Sequence, residues 1–333
     1  MAKKKVRIGQ TIALIPEAGS AIRPEWLLDG QSGNTNFPYS KYKALATVGE
    51  VDAKTKLGLT GYPDGQAAWL LDDNTVRVAY QSESYANVTG TRTPEPETYP
   101  RELKTGVTFT GSRIHTIDYA RDAFADFMGN DSAASDMVKG SGFLFNRAFN
   151  LFGKEVTPKN TDPADLAAKW GNQTLPSGEI VEFGTPLSDA DFFFHSFCGA
   201  WYEPANRYGE GQGFSDDIWL MAEEWDIGED NFAPGVAGEA VANETMGLAA
   251  MAVDVANEVA YSVPALGQTG YEKIAPLNTG ESDYVVVVTA GYNHGQDPAP
   301  LKIYVGRKGY DAEGNEITEE HSERDQFLGR NGM

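Results

Sequence analysis

The sequence predicts an all-β protein of the β-propeller type, with about six blades and helical or loop insertions, and three observations carry that expectation. Its 36 glycines and its 11% of aromatic residues favour many short strands joined by tight turns. No stretch of helical spacing is long enough to supply the crossovers of a parallel α/β sheet. Finally, two hairpins share one form, a strand, a turn containing Asp or Asn, and a second strand. The first has Asp254-Val255-Ala256-Asn257 between 248–253 and 258–263, and the second has Asp311-Ala312-Glu313-Gly314-Asn315 after 302–310. Radially repeated small sheets produce that spacing more readily than a sandwich does.

Taken in order, residues 1–42 form an irregular N-terminal segment, because 17–42 is rich in Gly, Ser, Asn and Pro without periodicity. Its Lys3-Lys4-Lys5 cluster is followed by Arg7, Gly9, Gln10 and Thr11, which makes a poor secretory signal. The propeller-like domain is expected over 43–333. Residues 44–51 read as a strand, and 66–71 with 75–80 flank Asp72-Asp73-Asn74 as a hairpin. The proline-spaced acidic stretch 91–104 cannot join a central sheet and reads as an exposed connection. Strand character resumes over 107–119, with Ile114 and Ile117 inward.

Between about 120 and 175 the spacing turns helical, at 119–128, 133–138 and 162–170, the last with Asp162 as N-cap before Pro163. This is read as an insertion. Further strands are expected at 178–183, 217–225, 248–253, 258–263, 284–290 and 301–305.

A chain of 333 residues holds either two ordinary domains or one propeller. The formal charge of −21 repels a phosphate backbone, so nucleic acid is excluded as a partner; cations are the natural counter-species, unless the acidity serves solubility alone. The longest apolar runs, such as 285–290, fall far short of the roughly 20 residues of a membrane span. A single cysteine, Cys198, excludes an internal disulfide and a four-cysteine zinc site.

The densest chemical constellation runs from His195 to Asp230 and includes Cys198, Glu203, Asp216, Asp217, Glu223 and Glu224. An apolar run leads into Glu223 and Glu224, and strand alternation aims one of the two inward. A buried carboxylate is costly unless paired or metal-bound, which makes calcium a sensible ligand; the plainer alternative is that 223–230 is an exposed acidic loop. His115, His195, His294 and His321 lack a Gly-x-Ser-x-Gly elbow to serve and read as structural or solvated. Gly209, Gly211 and Gly213 lack the following helix that a phosphate cradle requires. In 311–319, Glu316 stands where an EF-hand needs glycine, so a hairpin is expected there. The aromatic residues near Cys198 serve as a binding platform or as wedges between blades.

Several segments resemble the PhoX-type alkaline phosphatase family of β-propellers. Gly61-Tyr62-Pro63-Asp64-Gly65, the hairpin after it, and Gln81-Ser82-Glu83 are similar to the family's Pro-Asp-Gly segment and Asn-His-Glu motif. Phe197-Cys198 and then Ile218 to Glu224 resemble its cysteine followed by a strand ending in Glu-Glu. Residues 261–267 with Tyr271-Glu272, then 301–308 and 327–332, are similar to its proline-glycine loop, Trp-Glu pair, Tyr-Val-Gly strand and the stretch that precedes one more strand.

The resemblance covers roughly 43–333. It implies an iron and calcium cluster that hydrolyses a small phosphate ester, with Cys198 as thiolate ligand and Glu83, Glu223 or Glu224, and Glu272 as carboxylate ligands. It also implies an extracellular or cell-surface location. The departures are Ser82 for the family's histidine, Tyr271 for tryptophan, and Tyr292, Asn293 and His294 where paired aspartates belong. A competing expectation follows from them: a non-catalytic surface or assembly protein that uses the connections 85–106 and 120–175 for protein contacts or self-assembly.

Overall fold

The computed structural model describes residues 7–10, 43–83, 101–109, 112–130, 132–150, 153–157, 173–174, 180–181, 197–223, 250–267, 270–292 and 301–333. It is mostly β, with few helices, and its sheets curl, one of them into a half-barrel. The all-β expectation holds at this level. Clustering of the chain gives two compact units: one of 1–60, 68–79 and 115–142, the other of 61–67, 80–114 and 143–333.

A four-stranded sheet has the order β1 (Tyr62–Asp72), β2 (Thr75–Glu83), β5 (Arg113–Ala120), β6 (Val138–Phe143). The β1–β2 turn is the one read from Asp72-Asp73-Asn74, and the Asn74 amide donates to Asp72 Oδ1 at 2.7 Å. Two short ladders, β3 (Arg101–Glu102) with β4 (Thr108–Phe109) and β8 (Gln173–Thr174) with β9 (Ile180–Val181), stand apart from the larger sheets. Ile114 and Ile117 are both buried, although their odd separation puts them on opposite faces, because β5 is an inner strand covered on both sides.

In the first unit, residues 44–51 are not a strand. Gly49 takes φ 94, and Glu50 turns back to accept from the Thr47 amide at 2.8 Å and the Gly9 amide at 2.7 Å. Side-chain capping of local amides therefore wins over extension, and only Val51 pairs, in isolated bridges to Arg7 and Gly58. His115 is structural: Thr60 meets its Nε2 through both amide and hydroxyl, the latter at 2.9 Å. Asp52 is buried, which raises its pKa, but amides of Thr55 and Lys54 and the Ser141 hydroxyl outweigh this and leave it lowered. The helical spacing at 119–128 resolves as the end of β5, a 3₁₀ turn at Arg121–Ala123 and α1 (Phe124–Gly129). A second 3₁₀ turn covers Ala134–Asp136, and β6 follows it directly, so part of the span read as an insertion belongs to the sheet.

The second unit holds an eight-stranded sheet of order β16 (Leu301–Arg307), β15 (Tyr284–Tyr292), β14 (Gly270–Leu277), β10 (Phe197–Glu203), β11 (Ile218–Glu223), β12 (Ala250–Asp254), β13 (Val259–Ser262), β7 (Arg147–Phe149). Most pairs are antiparallel; β10 with β14 and β13 with β7 are parallel. The apolar run of β11 is buried on both faces. Ile218, Leu220 and Ala222 enter one cluster with Ala250, Ala252, Tyr261, Ile274, Val285 and Val287. Each large aliphatic side chain buried there contributes about 1.5–3 kcal/mol. The Asp254 hairpin is as read: Asp254 Oδ1 accepts from the Ala256 and Asn257 amides at 3.1 and 3.0 Å.

A helix absent from the sequence reading, α2 (Glu323–Arg330), closes the cluster with Phe327 and Leu328, joined by Met333. Ser322 caps it by accepting from the Asp325 amide at 3.1 Å. Among the described residues no helix is long and apolar enough to cross a membrane. The helix expected at 162–170 lies outside the described residues.

Candidate metal centre

Strand β10 positions the site. It runs between β14 and β11, and a register shift between Cys198 and Trp201 breaks its otherwise regular pairing. Gly199 sits at this shift with φ 72, and a Cβ there would crowd the Glu272 carbonyl at 3.3 Å, so the close approach of β10 and β14 selects glycine.

Cys198 lies just before the shift, 6% exposed. Its Sγ donates to Glu83 Oε1 at 3.6 Å, joining the end of β2 to β10 across 115 residues of sequence. Next to Glu83, Ser82 is fully buried, and its Oγ donates to the Arg113 carbonyl at 3.1 Å and accepts from the Arg113 amide at 3.2 Å. The serine that stands where the resemblance expects histidine is thus tied to the backbone of β5. Gln81 completes this edge: the Trp219 indole donates to its Oε1 at 2.8 Å, with both side chains fully buried.

Glu223 is 2% exposed and pairs across the strands with Phe197, whereas Cys198 pairs with Ala222. Directly opposed residues share a face, so Glu223 and Cys198 leave neighbouring strands on opposite faces. Glu272 falls in the β14 bulge between Tyr271 and Lys273 and its side chain is exposed. Beside it, Tyr271 is buried, its pKa pushed up to about 12 by that burial, and its hydroxyl donates to the Leu266 and Gly267 carbonyls. Tyrosine at this position therefore anchors the preceding loop.

Of the five expected ligands, Glu83 and Cys198 are in contact; Glu223 and Glu272 lie on the strands either side of β10, Glu223 on the face opposite Cys198 and Glu272 exposed; and Glu224 lies outside the described residues, as do His195, Asn293 and His294. A thiol and one carboxylate make two ligands, where a tightly held ion takes three or more protein groups. Among the described residues no set of three His, Cys, Asp or Glu side chains converges on a common point. The fit to an iron and calcium cluster is therefore partial.

Among the described residues of the constellation, Glu203, Asp217 and Asp216 serve the fold. Glu203, fully buried, accepts from Trp201 Nε1 at 2.7 Å and Arg207 Nη1 at 2.9 Å. Asp217 accepts from the Ala205 amide at 2.7 Å, and Asp216 from Arg330 Nε and Asn331 Nδ2 at 2.6 and 2.7 Å. Trp201 and Trp219 are committed to such partners and act as packing. Reasoning from sequence named Gln81 only within the motif that carries the resemblance and did not single out Arg113, because β5, Arg-Ile-His-Thr-Ile-Asp-Tyr-Ala, mixes polar and apolar residues and offers no local signal.

Comparison of the chain with protein-family models, with curated proteins and with solved structures found no match.

Proposed function

We propose that this chain is a metal-binding protein on a propeller-like scaffold, in which the Cys198 thiolate and the Glu83 carboxylate hold a transition metal such as iron. The meeting of Cys198 Sγ and Glu83 Oε1 carries this reading. A thiol that donates to a half-buried carboxylate loses its proton when a metal takes its place, and a soft thiolate selects iron over calcium. The resemblance supports Glu223 or Glu224 as a further oxygen ligand, and calcium belongs with such a carboxylate.

The resemblance of the motifs supports phosphomonoester hydrolysis as the activity, for which a bound ion would supply Lewis acidity. A location outside the cell or at its surface rests on the same resemblance. Within the chain's own residues, Arg113 and Ser82 hold the end of β2 in place so that Glu83 faces Cys198.

Metal analysis of the purified protein tests the reading, combined with Fe(III) or Co(II) titration followed by thiolate-to-metal absorption. Wild type takes up an equivalent of metal with that absorption, Cys198→Ser loses the absorption, and Glu83→Gln weakens uptake at least tenfold. Turnover of p-nitrophenyl phosphate then tracks metal content. A wild-type protein that binds neither iron nor cobalt overturns the metal site; one that binds metal but never turns over the ester overturns hydrolysis alone.

A further inference from the structure

Strands β16 and β1 share a property that the metal site does not use. Each stands last in its sheet order among the described residues, so each presents an edge. Edge strands offer unpaired amides and carbonyls, and proteins ordinarily keep apolar side chains off them. Here Leu301, Ile303 and Val305 of β16 are 78%, 67% and 59% exposed. They cannot turn inward. The other side of β16 is fixed by Tyr304, packed against the core, and by Gly306, where any Cβ would overlap the Gly332 carbonyl.

β1 is the second such edge, with Leu70 51% and Leu71 44% exposed. The two edges carry opposite charge. From 301 to 310 the sequence has Lys302, Arg307 and Lys308 and no acid, on a chain of net charge −21. From 57 to 76 it has Asp64, Asp72 and Asp73 and no base.

We propose that β16 of one copy of this chain pairs with β1 of the next, forming a head-to-tail contact between copies. Antiparallel pairing with Arg307 opposite Asp64 sets Ile303 against Ala68 and Leu301 against Leu70 on the exposed face. On the other face it sets Lys302 beside Trp69. Opposite charges and matched apolar residues then meet in one register, which two copies of β16 facing each other would not achieve, since like charges would oppose. Because the two surfaces differ, the contact is heterologous and propagates into a ring or an open fibre.

Sedimentation velocity and light scattering over a wide concentration range test the proposal. The expected result is a mass that rises beyond a dimer with concentration. Asp64→Arg and Arg307→Asp each weaken association about tenfold, the double variant Asp64→Arg/Arg307→Asp restores it, and Ile303→Lys abolishes it. All of these positions are exposed, so circular dichroism should be unchanged. A strictly monomeric wild type overturns the proposal, including the case in which that monomer co-sediments with anionic vesicles. A dimer that never grows and ignores the charge exchange also overturns it, and assigns the edge to symmetric pairing.

Discussion

Strands β11 and β16 belong to the same sheet and are both rich in apolar residues, yet every residue of β11 is buried whereas most of β16 is exposed. β11, Ile-Trp-Leu-Met-Ala-Glu, is covered on both faces and carries no alternation. β16, Leu-Lys-Ile-Tyr-Val-Gly-Arg, alternates, and the usual reading would send Leu301, Ile303 and Val305 to the core. The structure sends Tyr304 and Gly306 there instead, because the close approach of the Gly332 backbone leaves room only for glycine. A one-residue change of register would invert every side chain, so a single steric constraint decides which face of the strand is wet.

This contrast can be broken from the buried side first. Trp219→Ala removes a fully buried indole and leaves the Gln81 amide oxygen without its donor, and should cost about 3–5 kcal/mol in chemical denaturation. Gly306→Ala should cost about 1–3 kcal/mol, since the added methyl meets backbone that cannot rotate away; a neutral result would mean that the facing of β16 is set by something else.

A smaller effect lies beside α2. Burial raises the Glu323 pKa, but hydrogen bonds from Arg147 and Tyr261 bring it below its ordinary 4.5. The folded-state value is depressed, so its contribution is present above pH 4.5 and is lost as pH falls through the lowered value. Thermal melts of wild type and Glu323→Gln should differ near neutrality and converge in acid. The smallest change is expected on the exposed face, where, at concentrations too low for copies to associate, Ile303→Thr should alter stability by no more than about 0.5 kcal/mol. A larger loss there would show that the face is covered within the single chain.

Legibility in the sequence followed the same contrast. Strands 284–290 and 301–305 and the Asp254 hairpin were readable because β-branched runs and an Asx turn are local signals, and β15 and β16 extend only slightly past those bounds. The 44–51 segment misled because Gly49 and Glu50 make a turn whose partner, Gly9, is remote. Helix α2 was missed although Ser322 and Asp325 have the spacing of a cap, since its apolar face is only Phe327 and Leu328. At the site, alternation foresaw one inward carboxylate of the pair 223–224, and Glu223 is buried. The contact of Glu83 with Cys198 came from no local pattern, because 115 residues separate them and only the register of β10 brings the thiol to β2.

Cys198 has a practical use that follows from its seclusion. It is the sole thiol in the chain and sits 6% exposed beneath the β10 bulge. A bulky disulfide reagent reaches it only when that part of the sheet opens, so the rate of labelling times how often the sheet breathes at this point. The molecule thereby carries its own clock, readable without an engineered reporter.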